Sequence, residues 1–397
     1  MKLIALLLPA LLAACGGGGA EQETSDNGAN RDLNGELTGR LVTTVDFQPY
    51  EFDLSTGAAR KLPVVTSKQF MDNRGEGDNV REYNFFAASE SPEDPGYVET
   101  NYQCFTVPTG ACLAIYDANY QVVARVAAHE KTLDEPAKLS RSGKLVAMSD
   151  MHLYYNQTAT ILLMDVASSN VIDSVQIDHE VEGRANLPGH PPLEWGLDDE
   201  VIFSVPADTR PTVYVTEPGT MKIARRIKLP ASYIGYIDSL DLHPDGKQLL
   251  IGYRRKSGAN NGIDGGGLII VLSLDDLSIR IPAVNQADQS TMPIGNGFIS
   301  QYSNPMWSPD GRTIMFLNNT DLNGSVSSRN PIFGLPAITF GMVVVPQEAS
   351  RLIVNSPGEP IIAPARAVRM ESVLTPGTTT SQWFGDRYEG GYVNWIR

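Results

Sequence analysis

Five histidines, His129, His152, His179, His190 and His243, are the residues of this sequence best suited to hold a metal or move a proton near neutral pH. Two stand beside a carboxylate, in His129-Glu130 and His179-Glu180, and His190 lies a short way beyond the second pair. An imidazole next to a carboxylate suits a divalent-metal ligand set or an acid–base pair. The plainer reading makes them polar loop residues, and it takes precedence unless the three segments converge. His243 falls in a turn and reads as structural. Asn319-Thr320-Asp321-Leu322-Asn323-Gly324 has the alternating oxygens and glycine of a calcium loop, but Asn330 stands at the twelfth position in place of a bidentate Glu, so it reads as a turn.

No GxSxG nucleophile elbow, Walker A loop or HExxH helix occurs, and Ser142-Gly143-Lys144 is followed by Leu145 rather than Ser or Thr. No catalytic residue is therefore assigned and no resident cofactor is expected, a metal ion on the His/carboxylate set being the alternative. Cys104 and Cys112 flank Pro108-Thr109-Gly110 between two strand-like runs, which suggests a hairpin disulfide in an oxidising compartment. The basic runs Arg225-Arg226 with Lys228 and Arg254-Arg255-Lys256 read as solvated faces. Trp383-Phe384, in a polar Gly-rich stretch, suit either a binding surface or packing.

The chain has 397 residues, 31 basic and 46 acidic, for a formal charge of −15, so a nucleic-acid partner is not expected. The elements that must position these side chains are short. Val, Ile, Leu, Tyr and Thr alternate with polar residues between Gly, Pro, Asp and Asn clusters, and helical periodicity is almost absent. One unit recurs in PAKLSRSGKLVAMSD, PLEWGLDDEVIFSV, SLDLHPDGKQLLIGYR and NPMWSPDGRTIMFLNN: an apolar strand, a tight turn and a second apolar strand. A second hairpin follows each turn, in LAIYDANYQVVARV, ILLMDVASSNVIDSV, TVYVTEPGTMKIARRI, LIIVLSLDDLSIRI, YEFDLSTGAARKL and GMVVVPQEASRLIV. Two hairpins per repeat make a four-stranded propeller blade.

These turns resemble the TolB-like propeller repeat, an aromatic or apolar position followed by Ser-Pro-Asp-Gly-Lys/Arg. Trp307 to Arg312 match in full, His243 to Lys247 match with His for Ser, and Ser140 to Lys144 keep the Gly-Lys end. The resemblance implies an all-β β-propeller over residues 37–397. It implies no single activity, because the repeat serves scaffolds, peptidases and lyases. Turn spacing predicts six four-stranded blades, with seven possible because residues 63–100 and 356–390 are hard to parse. Asn394-Trp395 reads as an inner strand whose followers lie near residues 39–65, so the C-terminal strand should pair with N-terminal strands and close the ring.

Ahead of the propeller, Lys2 and the apolar run Leu3 to Ala14 form a signal peptide, residues 1–14, too short to span a bilayer comfortably. Leu12-Ala13-Ala14-Cys15 resembles the lipobox of bacterial lipoproteins, which implies cleavage before Cys15 and lipid on its thiol. Residues 15–36 then form a Gly-rich, acidic tether. Gly16 in place of Asp favours the outer membrane, periplasm-facing or surface. The expectation is an envelope lipoprotein whose propeller binds envelope proteins without catalysis. The alternative is a saccharide- or peptide-active, lyase-like enzyme using His129, Glu130, His179, Glu180 and His190 at the propeller funnel.

Overall fold

The turn copies fold as their residues dictate. Gly143, Gly246 and Gly311 adopt φ of 69°, 75° and 72°, and Asp199 takes the same left-handed conformation, φ 62°, in the degenerate copy. Close approach fixes two of the glycines a second time. A Cβ on Gly246 would lie 2.4 Å from Leu197, and one on Gly311 would lie 2.3 Å from His243. Each of these turns therefore nests against the turn of the preceding repeat.

The fold is a computed structural model, which describes residues 37–45, 48–56, 58–64, 86–89, 96–101, 112–127, 137–149, 158–178, 191–205, 210–233, 235–255, 265–285, 302–318, 341–346, 353–354, 366–368, 370–371, 379–380 and 394–397. The regular structure of these residues is all strand. β1 (Arg40–Val45), β2 (Gln48–Asp53) and β3 (Ala59–Lys61) form the first antiparallel meander. Next come β4 (Phe86–Ala88), β5 (Tyr97–Asn101), β6 (Cys112–Tyr116) and β7 (Val122–Ala127). The third sheet holds β8 (Ala137–Leu139), β9 (Leu145–Ser149), β10 (Thr158–Asp165) and β11 (Asn170–Asp178). The fourth holds β12 (Leu193–Trp195), β13 (Val201–Val205), β14 (Thr212–Thr216) and β15 (Ile223–Lys228). β16 (Gly235–Leu242), β17 (Gln248–Arg255), β18 (Gly265–Ser273) and β19 (Ile279–Asn285) follow, then β20 (Tyr302–Trp307), β21 (Thr313–Asn318) and β22 (Gly341–Pro346). The remaining strands are β23 (Ile353–Val354), β24 (Arg366–Val368), β25 (Met370–Glu371), β26 (Thr379–Thr380) and β27 (Asn394–Ile396).

β27 pairs antiparallel with β1, Leu41 opposite Trp395, so the C-terminal strand completes the N-terminal sheet as expected. The innermost strands touch in the order β27, β4, β8, β12, β16 and β20, and β20 returns to β27. The sheets thus close into a ring, a β-propeller. The described core lies between sheets. Alternate residues of one strand serve different neighbours: Phe203 packs toward Ile161 and Leu163, while Ile202 packs toward Leu249 and Ile251.

Two expectations are corrected. Five sheets are four-stranded blades, not six, because the β16–β19 sheet has five strands. Its added strand is β23, parallel to β19 with Val284 opposite Ile353. The sequence reading makes these same residues the hairpin partner of β22, but β22 pairs outward with β24, Val343 opposite Ala367. Residues 347–352 are longer than a tight hairpin loop, and the open edge of β19 gives the β-branched pair Ile353-Val354 a ladder. Of the two stretches that allowed a seventh blade, residues 63–100 supply β4 and most of β5 to the second sheet, and residues 356–390 supply β24 to the β20–β22 sheet and the separate two-stranded sheet β25–β26.

A buried carboxylate fastens the closing sheet. Glu51 on β2 accepts hydrogen bonds from Arg40 Nη1 at 2.8 Å, Arg60 Nη2 at 3.1 Å and the Tyr120 hydroxyl at 2.6 Å. Arg40 Nε also donates to the carbonyl of Arg397 at 3.0 Å. Tyr120 stacks on Tyr97 at 4.8 Å, and burial followed by the bond to Glu51 pushes its phenol well above the usual range, so it remains a neutral donor. β1, β2 and the residue after β27 are thereby tied to one another and to the neighbouring blade.

Candidate functional site

The residues singled out for chemistry divide sharply. His129, Glu130, His152, His179, Glu180, His190, Cys15 and Cys104 lie outside the described residues, as do Asn319–Gly324, Asn330, Lys256, Trp383 and Phe384. Cys112 opens β6 opposite Asn101. The described residues include the strand ends that flank three of the histidines in sequence. β7 ends at Ala127, β11 ends at Asp178 and β12 begins at Leu193. Because antiparallel strands alternate direction, these strand ends lie on the side of their sheets opposite the turns at Gly143 and Asp199.

His243 is structural, as its place in a turn suggests. Its Nε2 lies 3.1 Å from the carbonyl of Gly311, and its ring meets Trp307 edge-on at 4.7 Å. Nδ1 lies 2.7 Å from Asp245 Oδ1. Burial raises the Asp245 carboxyl, but the Lys247 backbone N–H and the imidazole outweigh it and leave it below the usual carboxylate range. Trp195 and Trp307 are both buried inner-strand residues. In the basic run, Arg225 Nη2 donates to the carbonyl of Leu274 at 2.7 Å, and Arg226 lies over the Tyr214 ring at 5.9 Å.

A polar constellation sits on the inner strands, and the sequence reading passed over it. The N–H of Ser308 bonds to Thr313 on β21, so the preceding N–H, of Trp307, points away from its sheet toward the propeller axis. Asp241 Oδ2, from the preceding inner strand, accepts that N–H at 2.5 Å. The same relation recurs at ring closure, where Asn394 Oδ1 accepts the N–H of Ala88 at 3.1 Å. Between β8 and β12 the device is altered: Glu194 Oε1 accepts the N–H of its neighbour Trp195 at 2.8 Å, while Oε2 pairs with Lys138 Nζ at 2.5 Å. The Trp195 indole N–H donates back to the carbonyl of Lys138 at 2.9 Å.

Lys138, Glu194, Asp241 and Asn394 are all at least nine-tenths buried. The first three stand two residues before the opening residue of their turns, Ser140, Gly196 and His243. One polar residue inside each apolar triplet, Ala137-Lys138-Leu139, Leu193-Glu194-Trp195 and Leu240-Asp241-Leu242, was the available signal. Chemically this set caps axis-facing amides and neutralises one cation. Among the described residues no group of three His, Cys, Asp or Glu could hold a metal ion. Apart from the axis, a surface pocket of about 390 Å³ lies between the turns after β16 and β18, lined by Asp245, Lys247, Asp275, Ser278 and Arg280 among others.

Comparison with protein-family profiles and with curated proteins finds no match. Solved structures give distant likenesses. A protein assigned as TolB from Agrobacterium tumefaciens is 14% identical, with 84% of this chain and 97% of that chain covered and a TM-score of 0.43. The β-propeller domain of the Trilobed protease from Pyrococcus furiosus is 10% identical, covering 80% and 86%, with a TM-score of 0.40. Kuenenia stuttgartiensis hydrazine synthase is 14% identical over 70% of this chain, which spans 66% of that one, just under two thirds, with a TM-score of 0.42. The propeller assignment rests on the strand pairing and the cyclic contact of the inner strands.

Proposed function

We propose that the chain is an outer-membrane lipoprotein, anchored through lipid on Cys15, whose propeller is a non-enzymatic binding platform for other envelope proteins. The observation that carries this reading is the order of segments: an apolar run ending Leu12-Ala13-Ala14-Cys15, a Gly-rich acidic stretch, then a ring-forming repeat. The inner-strand charges support it, because Glu194 and Asp241 serve to hold sheets together and Lys138 is neutralised by Glu194. Several acyl chains on one cysteine give firm anchoring, each buried CH₂ adding about 0.8 kcal/mol. The test is metabolic labelling with an alkyne fatty acid. Wild-type protein takes up label and fractionates with the outer membrane, and Cys15→Ser abolishes both. Label retained in Cys15→Ser would sink the anchor. Crosslinking in intact cells then asks for discrete envelope-protein adducts. In the same compartment Cys104 and Cys112 are expected to resist thiol alkylation until reduced.

A second reading draws on the strand ends described above: the strands flanking His129, His179 and His190 in sequence end or begin on the same side of their sheets. There Glu130 and Glu180 would complete a His/carboxylate metal site for a lyase-like reaction on a saccharide or peptide. Metal analysis of the purified protein separates the two. Stoichiometric metal that is lost in both His129→Ala and His190→Ala would replace the platform with the enzyme.

A further inference from the structure

The outer strands of a propeller present unpaired edges, which proteins blunt with brevity, cations or cover. Most of the outer strands here follow that rule. β3 and β24 are three residues each and carry Arg60, Lys61 and Arg366. β15 exposes Arg225, Arg226 and Lys228. β19 is covered by β23. On β7 the carbonyl of Arg125 accepts a hydrogen bond from Ser169 Oγ at 3.3 Å.

β11 has neither brevity nor cations, and its cover among the described residues is a single contact at its middle, the Met221 N–H bonded to Asp173 Oδ2 at 2.8 Å. It is nine residues long, Asn-Val-Ile-Asp-Ser-Val-Gln-Ile-Asp, without Lys, Arg or Pro, and it ends its sheet. Its ladder with β10 shifts at Leu163/Met164 and then runs unbroken over Asp173–Asp178. The direction of its outward groups follows from the neighbouring pairing. Val166 N–H bonds to the carbonyl of Lys144, so even-numbered residues of β10 bond toward β9 and odd-numbered ones toward β11. Val175 and Ile177 stand opposite Ile161 and Ala159 and take those bonds, which turns the N–H and C=O of Ser174 and Gln176 outward, the Ser174 N–H being bonded to Asp173 Oδ1 at 2.8 Å. Val171 and Ile172, at the start of the strand, are each 50% exposed, and Val123 on the adjacent rim strand β7 is 61% exposed.

We propose that the outer edge of β11 is the docking site of the platform, where an extended apolar segment of a partner protein adds as a fifth strand. This rests on the platform reading and names its surface. The chain supplies its own template for the partner's chemistry. β23, which occupies the corresponding edge of β19, is the β-branched pair Ile353-Val354, preceded in sequence by Arg351-Leu352. A cation beside the apolar run also suits a chain of net charge −15 whose edge strand bears only Asp173 and Asp178. That same charge disfavours a second copy, since two molecules would meet with like sign. Main-chain hydrogen bonds would give affinity, and Val171 and Ile172 would select apolar side chains.

The test uses the purified full-length chain and the heptapeptide Ser-Arg-Leu-Ile-Val-Asn-Ser, which copies residues 350–356. At saturating peptide, hydrogen exchange across Asn170–Asp178 should slow at least tenfold while exchange in β15 is unchanged. Gln176→Pro, which removes an outward N–H and spares the ladder, should weaken binding at least tenfold with unchanged circular dichroism. Ser174→Lys should act in the same direction if the proline variant misfolds. No slowing in β11, binding undiminished in both variants, or protection confined to β19 would overturn the proposal. A concentration-dependent dimer in sedimentation that Ser174→Lys abolishes would overturn the choice of occupant in favour of a second copy. Failure here leaves the Cys15 labelling and envelope crosslinking results standing, so the docking edge and the platform fail separately.

Discussion

At the axis, the N–H groups of Ala88, Trp195 and Trp307 leave their strands and are met by Asn394, Glu194 and Asp241. At the rim, most of the outer strands carry Arg and Lys, stop after three residues, or take on β23, and β11 does none of these. Both regions have unpaired backbone groups, but the penalties differ. Inside the ring an uncapped amide is desolvated and costs folding free energy. Outside, water satisfies it, and the hazard is association with another strand. The axis is therefore a matter of stability and the rim a matter of partner choice. A substitution at the axis should register in unfolding, and one at the rim in binding.

The largest expected effect breaks the axis side of this contrast. Glu194→Ala removes the carboxylate paired with the buried Lys138 cation and uncaps the Trp195 N–H. Removing one partner of a buried ion pair costs about 3–5 kcal/mol, and the urea midpoint should fall accordingly. Glu194→Gln keeps an acceptor for Trp195 and should lose less. If Glu194→Ala unfolds like wild type, the pair does not hold β8 to β12.

Asp241→Ala comes next. It leaves the Trp307 N–H without its side-chain acceptor, a loss of about 1–3 kcal/mol. Asp241→Asn should recover most of it, because the amide oxygen of Asn394 already does this task for Ala88. Exchange of the Trp307 amide, followed by NMR, distinguishes the two variants. Equal exchange in both would show that the cap is dispensable.

How much of this was legible depends on whether the residue types carry their own geometry. Ser308-Pro309-Asp310-Gly311 announces its turn because Pro and Gly restrict φ locally, and Trp395 announces ring closure because an inner strand without followers must borrow them. β23 was misread because Gly341 to Val354 has the pattern of a hairpin, and its true partner, β19, is set by an open edge far along the chain. Lys138, Glu194 and Asp241 were in view in the aligned repeats, yet a lone polar residue in a strand does not say whether it faces water or a neighbouring amide. Tyr120 and Leu277 hold φ of 60° and 61° in turns whose sequences give no such sign. The histidines were legible as chemistry but not as a site, since convergence is a property of the fold and not of His-Glu spacing.

The surface should be quiet by the same measure. Lys222 and Glu217 pair at 2.5 Å, but their side chains are 73% and 44% exposed. Lys222→Ala should change unfolding by no more than about 0.5 kcal/mol, well below any axis substitution. A larger loss would mean that rim charges hold the fold as well as guard it.

The smallest expected effect sharpens the contrast through pH. Asp276, in the turn between β18 and β19, lies beside Ser273, and its Oδ1 accepts the Ser278 N–H at 3.0 Å and hydroxyl at 2.7 Å. Hydrogen bonds from Ser273, then from Ser278, lower its carboxyl from 3.8 to about 2. A carboxyl with a folded-state pKa below its unfolded value stabilises the fold above the unfolded pKa. That contribution is lost as pH falls through the folded pKa. Between pH 4 and pH 2, wild type should therefore lose more stability than Asp276→Asn, and the two should differ by a constant amount above pH 5. Because the turn is exposed, the difference should be smaller than for any axis residue and should leave peptide binding at β11 untouched. Acid-unfolding curves that run parallel down to pH 2 would show that the turn carboxylate is bonded in geometry only.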